Sequence, residues 1–234
     1  MDHRTKALKV FNAHTDEWMK LVDSQLNNNV YYRGYLFRKI VKNKLFNKAK
    51  ILDYGCGQGS IAYLLAKEGY DVLGMDPIAG FIAEANKKSL EQINLKFRLL
   101  EDEGESLPSN TYDAVVCSSA LEFMDDADFV LQNLHRTLKP GGILFISLPN
   151  IRSLWRYYAE IRFGKKYDHF AIQKNKWSVS KAIKHLMNAG FSIKGKPIFF
   201  ESAFDKYKLL RSLNSFSLFG TLFILICQKN ERHS

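Results

Sequence analysis

The residues best suited to chemistry lie in the run Ile51-Leu52-Asp53-Tyr54-Gly55-Cys56-Gly57-Gln58-Gly59. It follows a short apolar stretch and opens a helical one, where glycines let the backbone approach a ligand and a helix N-terminus offers free N–H groups. A nucleotide-like ligand is expected there. The spacing is Gly-x-Gly-x-Gly rather than the Gly-x-Gly-x-x-Gly of dinucleotide sites, and Asp53 stands two residues before the first glycine, where it would repel a pyrophosphate. A carboxylate at that point suits a cationic ligand. The absence of Gly-Lys-Ser/Thr argues against a phosphate-cradling P-loop. Further along, Met75-Asp76-Pro77 ends a second apolar run with a carboxylate able to accept both hydroxyls of a ribose, and Glu101-Asp102-Glu103 follows a third, where a carboxylate can accept from an exocyclic amine.

These residues need a scaffold that brings the ends of several strands together. Lys50–Tyr54, Tyr70–Met75, Leu95–Leu100, Tyr112–Cys117 and Gly142–Leu148 read as strands by length and β-branched content. Helices lie between them. Ser60–Glu68 carries Ile61, Leu64 and Leu65 on one face and stops at Gly69, and Ala127–Leu138 carries Val130, Leu131, Leu134 and Leu138 before Lys139-Pro140-Gly141-Gly142. Five strands joined by helices imply a mostly parallel sheet with right-handed crossovers. Residues 150–176, rich in Arg, Lys and aromatics without a clean period, read as an insertion over the mouth of the sheet. Ser178 then caps a helix closed by Gly190, and Phe191–Phe200 and Phe219–Gln228 read as two edge strands able to pair antiparallel. Residues 1–48 read as an N-terminal helical lid, with Trp18, Leu21, Val22, Tyr35, Leu36, Ile40 and Val41 at helical spacing; residues 49–234 form the main domain.

Composition supports this picture. The chain has 234 residues, 46% hydrophobic and 13% aromatic, which excludes a disordered polymer and suits one α/β domain. Cys56, Cys117 and Cys227 are odd in number and far apart, matching neither a disulfide framework nor a zinc site, so a reducing cytoplasm and no metal are expected. No signal-peptide core or spanning run is visible. The net charge of +10 is unevenly spread: residues 1–50 carry +7, residues 51–150 carry −8 and residues 151–234 carry +11. An acidic middle that handles a cation between basic flanks that meet an anion is the reading this suggests.

Taken in order, ILDYGCGQGS, GMDP, EDEGESLP, TYDAVVCSSALEF and LHRTLKPGGILFISLPN make residues 49–150 resemble the class I S-adenosylmethionine-dependent methyltransferases. The helix entered at Lys176-Trp177-Ser178 and left at Ala189-Gly190-Phe191 looks like the later part of the small-molecule branch. The resemblance implies a Rossmann-like sheet of seven strands, six parallel and one antiparallel, with helices on both faces. It also implies that Asp53, Gly55, Gly57 and Gly59 surround the methionine part of S-adenosylmethionine, Asp76 and Pro77 the ribose, and Glu103 with Gly104 the adenine. Asp102 is a substitute for Glu103. Cys117 and Ser118 fall beside the sulfonium, and Cys56 is read as packing.

Methyl transfer from a sulfonium is an in-line displacement, so positioning and water exclusion supply much of the catalysis and no metal or covalent nucleophile is required. A hydroxyl acceptor gains from a general base. His169 beside Asp168, inside the insertion, is the candidate for base or substrate contact; His14 is a rival, and His135 reads as a helix C-terminal contact. Tyr31-Tyr32-Arg33 and Trp155-Arg156-Tyr157-Tyr158 interleave aromatic and basic residues able to clamp an aromatic or anionic substrate. The expected partner is a small-molecule acceptor, anionic or presented at an anionic membrane surface, with S-adenosylhomocysteine as the by-product. RNA modification is the rival among enzymes, weakened by Cys117-Ser118-Ser119-Ala120 in place of a proline-rich tetrapeptide after the fourth strand. A cofactor-binding regulator that performs no chemistry is the rival outside enzymes.

Overall fold

The computed structural model describes residues 3–17, 30–90, 92–103, 105, 107–163, 172–201 and 217–230. Among the described residues, eight strands form one sheet: β1 (Lys50–Tyr54), β2 (Asp71–Asp76), β3 (Leu95–Leu99), β4 (Tyr112–Ser118), β5 (Leu138–Pro149), β6 (Phe191–Ile193), β7 (Ile198–Phe200) and β8 (Leu222–Lys229). Their order is β3-β2-β1-β4-β5-β8-β6, with β7 also paired to β8. The first five are parallel, and β8 runs antiparallel to β5 and to both β6 and β7. The predicted strand 191–200 is thus two short strands along one edge of β8. The break falls at Gly195, which has φ +83°, and at Pro197, which lacks the N–H a ladder needs. Counted as one interrupted lane, they restore the expected pattern of six parallel strands and one antiparallel.

The helices are α1 (His3–Ala13), α2 (Val30–Lys42), α3 (Ser60–Lys67), α4 (Ala79–Ser89), α5 (Ala127–Thr137), α6 (Leu154–Phe163) and α7 (Val179–Asn188), with a 3₁₀ turn at Leu121–Phe123. On one face of the sheet Ile51, Val72, Ala114, Val116 and Phe145 pack against Phe37, Ile40 and Val41 of α2 and Ala62, Leu65 and Ala66 of α3. On the other, Leu52, Val115, Leu144 and Ile146 meet Val130, Leu131 and Leu134 of α5 and Ala182 and Leu186 of α7. Local signals set the helix starts: Asp126 accepts the Phe129 N–H at 2.9 Å, and Ser178 accepts the Lys181 N–H at 3.2 Å. α2 therefore belongs to the packed layers. α1 lies across the carboxyl edge, where Phe11 meets Phe123 and Phe81 edge-on at 5.1 and 6.4 Å.

Parallel pairing aligns the strand ends. Asp53 stands opposite Gly74 of β2 and Val116 of β4, and Asp76 opposite Leu99 of β3. The loop after β1 turns at Gly55, with φ +76°, as the Gly55 and Cys56 N–H groups donate to the Met75 carbonyl at 2.8 and 3.0 Å. A Cβ on Gly55 would lie 2.4 Å from Cβ of Ala120, in the turn after β4. Gly55→Ala combines left-handed backbone strain with overpacking, each worth roughly 1–3 kcal/mol. We expect it to lower unfolding stability in urea by about 2–4 kcal/mol; an unchanged midpoint at unchanged slope would show that the two turns do not meet.

Candidate active site

Asp53 sits near the end of β1 between Leu52 and Tyr54 and is 1% exposed. Neither of its carboxylate oxygens has a hydrogen-bond partner. Burial pushes its pKa up to about 7; the Ala62 N–H, near enough to pull it down without completing a hydrogen bond, opposes this, and the Asp76 charge adds to it. Asp76 accepts the Gly57 N–H at 2.8 Å through Oδ2 and the Ile78 N–H at 2.9 Å through Oδ1. Burial raises it to about 6 against those two bonds. A carboxylate offers about four acceptor positions, so Asp76 retains capacity for further donors. Gly57 has φ +54° and no atom within 4 Å of the place a Cβ would occupy, so the backbone beside these two carboxylates is open. An isolated buried carboxylate next to bare backbone fits a cationic, nucleoside-like group.

The third acidic loop behaves differently from its sequence reading. Glu103 accepts the Asp125 N–H at 3.0 Å with both oxygens and the Asp126 N–H at 3.3 Å, tying the loop after β3 to the entry of α5. Unpaired N–H groups at a helix start attract a carboxylate, and the sequence does not show that α5 begins there. Asp102 beside it is exposed, and Gly104 lies outside the described residues.

At the end of β4, Cys117 is fully buried, which raises its thiol far above the ordinary range; Ser118 Oγ lies 3.0 Å from Ser147 Oγ of β5. Burial and the nearby Asp53 and Asp76 likewise push the Cys56 thiol up, consistent with packing rather than reactivity. Beyond Ser119, which has φ +53°, the 3₁₀ turn carries Glu122, 2% exposed and with Oε2 lacking any hydrogen-bond partner. Burial lifts Glu122 to about 7, against its own backbone N–H and the positive charges of Arg33 and Arg156. Glu122 was not singled out from sequence. The available signal was one charge between Ala120-Leu121 and Phe123-Met124 just after a strand.

Two arginines from distant parts of the chain face this turn. Arg33 of α2 pairs with Glu201 at 2.6 Å, and Arg156 of α6, 7% exposed, pairs with Glu160 at 2.8 Å and donates to Gln173 Oε1. The run Trp155-Arg156-Tyr157-Tyr158 thus divides: Arg156 turns inward, while Trp155 and Tyr158 stack on each other at 5.3 Å on the exposed side. Tyr31 and Tyr32 lie in the first turn of α2, their side chains outside the described set, and His169 is outside the described residues. His14 bonds the Val10 carbonyl at 3.0 Å, and His135 packs edge-on against Phe191.

The exit of the insertion forms a roof stitched to the 3₁₀ turn. Lys174 and Asn175 N–H donate to the Glu122 carbonyl at 2.9 and 3.0 Å, and the Asn175 amide donates to the Leu121 and Met124 carbonyls at 3.2 and 2.8 Å. Among the described residues, no group of His, Cys, Asp and Glu side chains is arranged to hold a metal, and no helix is long and apolar enough to cross a membrane.

An open parallel sheet with carboxylates and glycines at the carboxyl ends of its first two strands defines a doubly wound, nucleotide-type binding protein. Residues 52–146 match the family model described as "Methyltransferase domain". A ubiquinone biosynthesis O-methyltransferase from Rickettsia canadensis is 30% identical over 184 residues, covering 75% of this chain and 77% of that protein. One from Pectobacterium carotovorum is 38% identical over 120 residues, covering 50% and 48%, so the chain spans about half the length of that relative. A TehB-like S-adenosylmethionine-dependent methyltransferase from Corynebacterium glutamicum shares the fold, with a TM-score of 0.66 at 20% identity over 94% of this chain and 99% of that one. The chain belongs to the class I S-adenosylmethionine-dependent methyltransferases, in the small-molecule O-methyltransferase branch.

Asp53, Asp76 and Glu122 all have pKa values raised above those of an unfolded chain. Each binds its proton more tightly in the folded state, so its contribution is fully present below about pH 4 and is lost as pH rises through 6 to 7. Glu68, held low by Lys42 and Arg38, acts in the opposite sense and only in the more acidic range. The thermal midpoint of the ligand-free protein should therefore fall between pH 5 and pH 8, and Asp53→Asn should flatten that fall. An identical slope in the variant would show that Asp53 is solvated.

Proposed function

We propose that this protein methylates a phenol-type or quinol-type hydroxyl of a small apolar acceptor at the surface of an anionic membrane. The observation that carries the donor side is Asp53, buried with both oxygens unpartnered beside open glycine backbone. The carboxylate takes the ammonium of the methionine part, Gly57 lets that part lie close while Gly55 and Gly59 close the loop against Ala120 and Phe97, and Asp76, followed by Pro77, holds the ribose hydroxyls. Asp102 and the backbone at Gly104 serve the adenine, because Glu103 is engaged with α5. Cys117 and Ser118 wall the space beside the sulfonium. S-adenosylmethionine supplies an electrophilic methyl group; the protein supplies alignment and exclusion of water under the roof of residues 172–176. The acceptor class is supported by relatives whose names assign them to ubiquinone biosynthesis as O-methyltransferases.

Membrane presentation is supported by α6. Leu154, Trp155, Tyr158 and Ile161 share one helical face at i, i+1, i+4 and i+7, and each is between 41% and 69% exposed, with Arg152 and Arg162 at the ends. An apolar stripe of that kind flanked by cations suits an interface between lipid headgroups and water.

Two measurements test this reading. Calorimetry should show binding of S-adenosylhomocysteine but not NAD or ATP, weakened by ~1–3 kcal/mol in Asp76→Ala through lost charged hydrogen bonds; equal affinity in the variant would remove Asp76 from the site. Flotation with phosphatidylglycerol vesicles should carry the protein, fall as the Debye length shrinks from ~10 Å at 0.1 M to ~3 Å at 1 M salt, and be lost in Trp155→Glu. No flotation under any condition would end the membrane proposal.

A further inference from the structure

We infer that Glu122 is the general base that removes the proton from the acceptor hydroxyl. This rests on the hydroxyl acceptor proposed above. Four observations carry it. Glu122 is buried, its Oε2 has no hydrogen-bond partner, and it forms no ion pair among the described residues although Arg33 and Arg156 are near enough to act on its charge. Those arginines are held by Glu201 and by Glu160 with Gln173, so they moderate the charge on Glu122 without quenching it. Its main chain is fixed: the Glu122 carbonyl accepts the Lys174 and Asn175 N–H groups, which ties the turn to the roof. It follows directly on β4, and its charge acts on the Cys117 thiol, as does that of Asp53, so it belongs to the same end of the sheet as the donor carboxylate.

An isolated buried carboxylate is costly, and a native protein tolerates it where a ligand supplies the missing donor. Asp53 meets that description through both oxygens and Glu122 through Oε2, but they lie in different settings. Asp53 borders the glycine loop, where a cation belongs. Glu122 lies in the turn after β4, tied to the roof through its carbonyl, and an acceptor O–H is the donor that would complete its Oε2. The charged and titratable groups facing it are Arg33 from α2, Arg156 from α6 and Cys117 from β4; Lys174 on the roof directs its ammonium to Asp125 at 2.9 Å. Burial and the two arginines leave the carboxyl titrating near neutrality, so that about half is ionised at neutral pH and the ionised form is a stronger base than an ordinary carboxylate. In the step itself the acceptor oxygen bonds to the methyl carbon and the sulfur–methyl bond breaks. Its electron pair goes to sulfur, giving S-adenosylhomocysteine, and the hydroxyl proton moves to Glu122 Oε2 and later to solvent.

The test compares catechol, which needs deprotonation, with 4-nitrocatechol, which is largely ionised at neutral pH, as acceptors for the full chain and for Glu122→Gln. Catechol turnover should fall by ~10²-fold or more and 4-nitrocatechol turnover by less than about tenfold. S-adenosylhomocysteine affinity should be unchanged by calorimetry, and the fall of the ligand-free thermal midpoint from pH 5 to pH 8 should be shallower. Catechol turnover by the parent should rise to a plateau near pH 7, and Arg33→Gln should move that inflection upward, because a positive charge facing the carboxylate is lost. Equal losses for both acceptors, or catechol turnover unaltered in Glu122→Gln but abolished in His169→Ala, would overturn the assignment. So would turnover that EDTA abolishes and magnesium restores in the parent but not in Glu122→Gln, since Glu122 would then hold a cation. If the parent methylates neither acceptor while binding S-adenosylhomocysteine, the phenolic acceptor is wrong and the base role falls with it.

Discussion

Parallel, in-register pairing of β1 with β2 and β4 is the constraint on which everything else in this molecule rests. It brings Asp53, Asp76 and the Cys117–Glu122 segment to one edge of the sheet from positions scattered over some seventy residues of sequence. The same pairing closes the helix-covered faces with apolar side chains, so the carboxylates at the edge are cut off from water on the side of the core. A glycine at 55 is the local condition for this, because the turn after β1 and the turn after β4 meet there without room for a methyl group.

Burial of three carboxylates at one edge works against stability, and a domain with only about 5–15 kcal/mol in reserve does not absorb such a cost without compensation. Asp76 is compensated by two backbone N–H groups. Asp53 lacks a hydrogen-bond partner on either oxygen and Glu122 on Oε2, and desolvation outweighs the groups that pull both down, lifting them toward neutrality. Above pH 7 the edge therefore holds buried negative charge in a low-dielectric setting, where a cation is attracted more strongly than it would be by exposed carboxylates. The basic flanks do not simply cancel it. Arg33 and Arg156 are paired with Glu201 and Glu160 and lower the Glu122 pKa by their charge without pairing with it.

The post-β5 segment shows how one stretch of chain can face two ways. Asn150, buried at the end of β5, donates to the Ser217 and Gly220 carbonyls and accepts the Arg152 N–H, fixing the start of α6. From that anchor, Arg156 points into the protein while Leu154, Trp155, Tyr158 and Ile161 point out. Further on, Lys174 and Asn175 bond to the carbonyls of the 3₁₀ turn, so the roof and that turn are held together.

Much of this was legible in the sequence. The glycine loop, the carboxylate ending β2, the capped helices α5 and α7 and the five parallel strands all follow from local patterns: apolar period, a capping side chain, or a glycine where the chain must turn. The division of 191–200 at Gly195 and Pro197 is local too, but strongly β-forming residues on both sides mask it in the sequence pattern. Other features depended on neighbours remote in sequence. Glu103 finds its partners only once α5 starts beside it, Trp155 and Arg156 separate only when α6 acquires an inner and an outer face, and Glu122 becomes significant only because no described residue bonds its Oε2. Sequence determined which elements form and which polar residues end the strands, since those depend on dihedral preferences and spacing within a few residues. Tertiary structure alone decided which polar groups are paired and which are left waiting, because pairing is a property of the space between elements and not of any one of them.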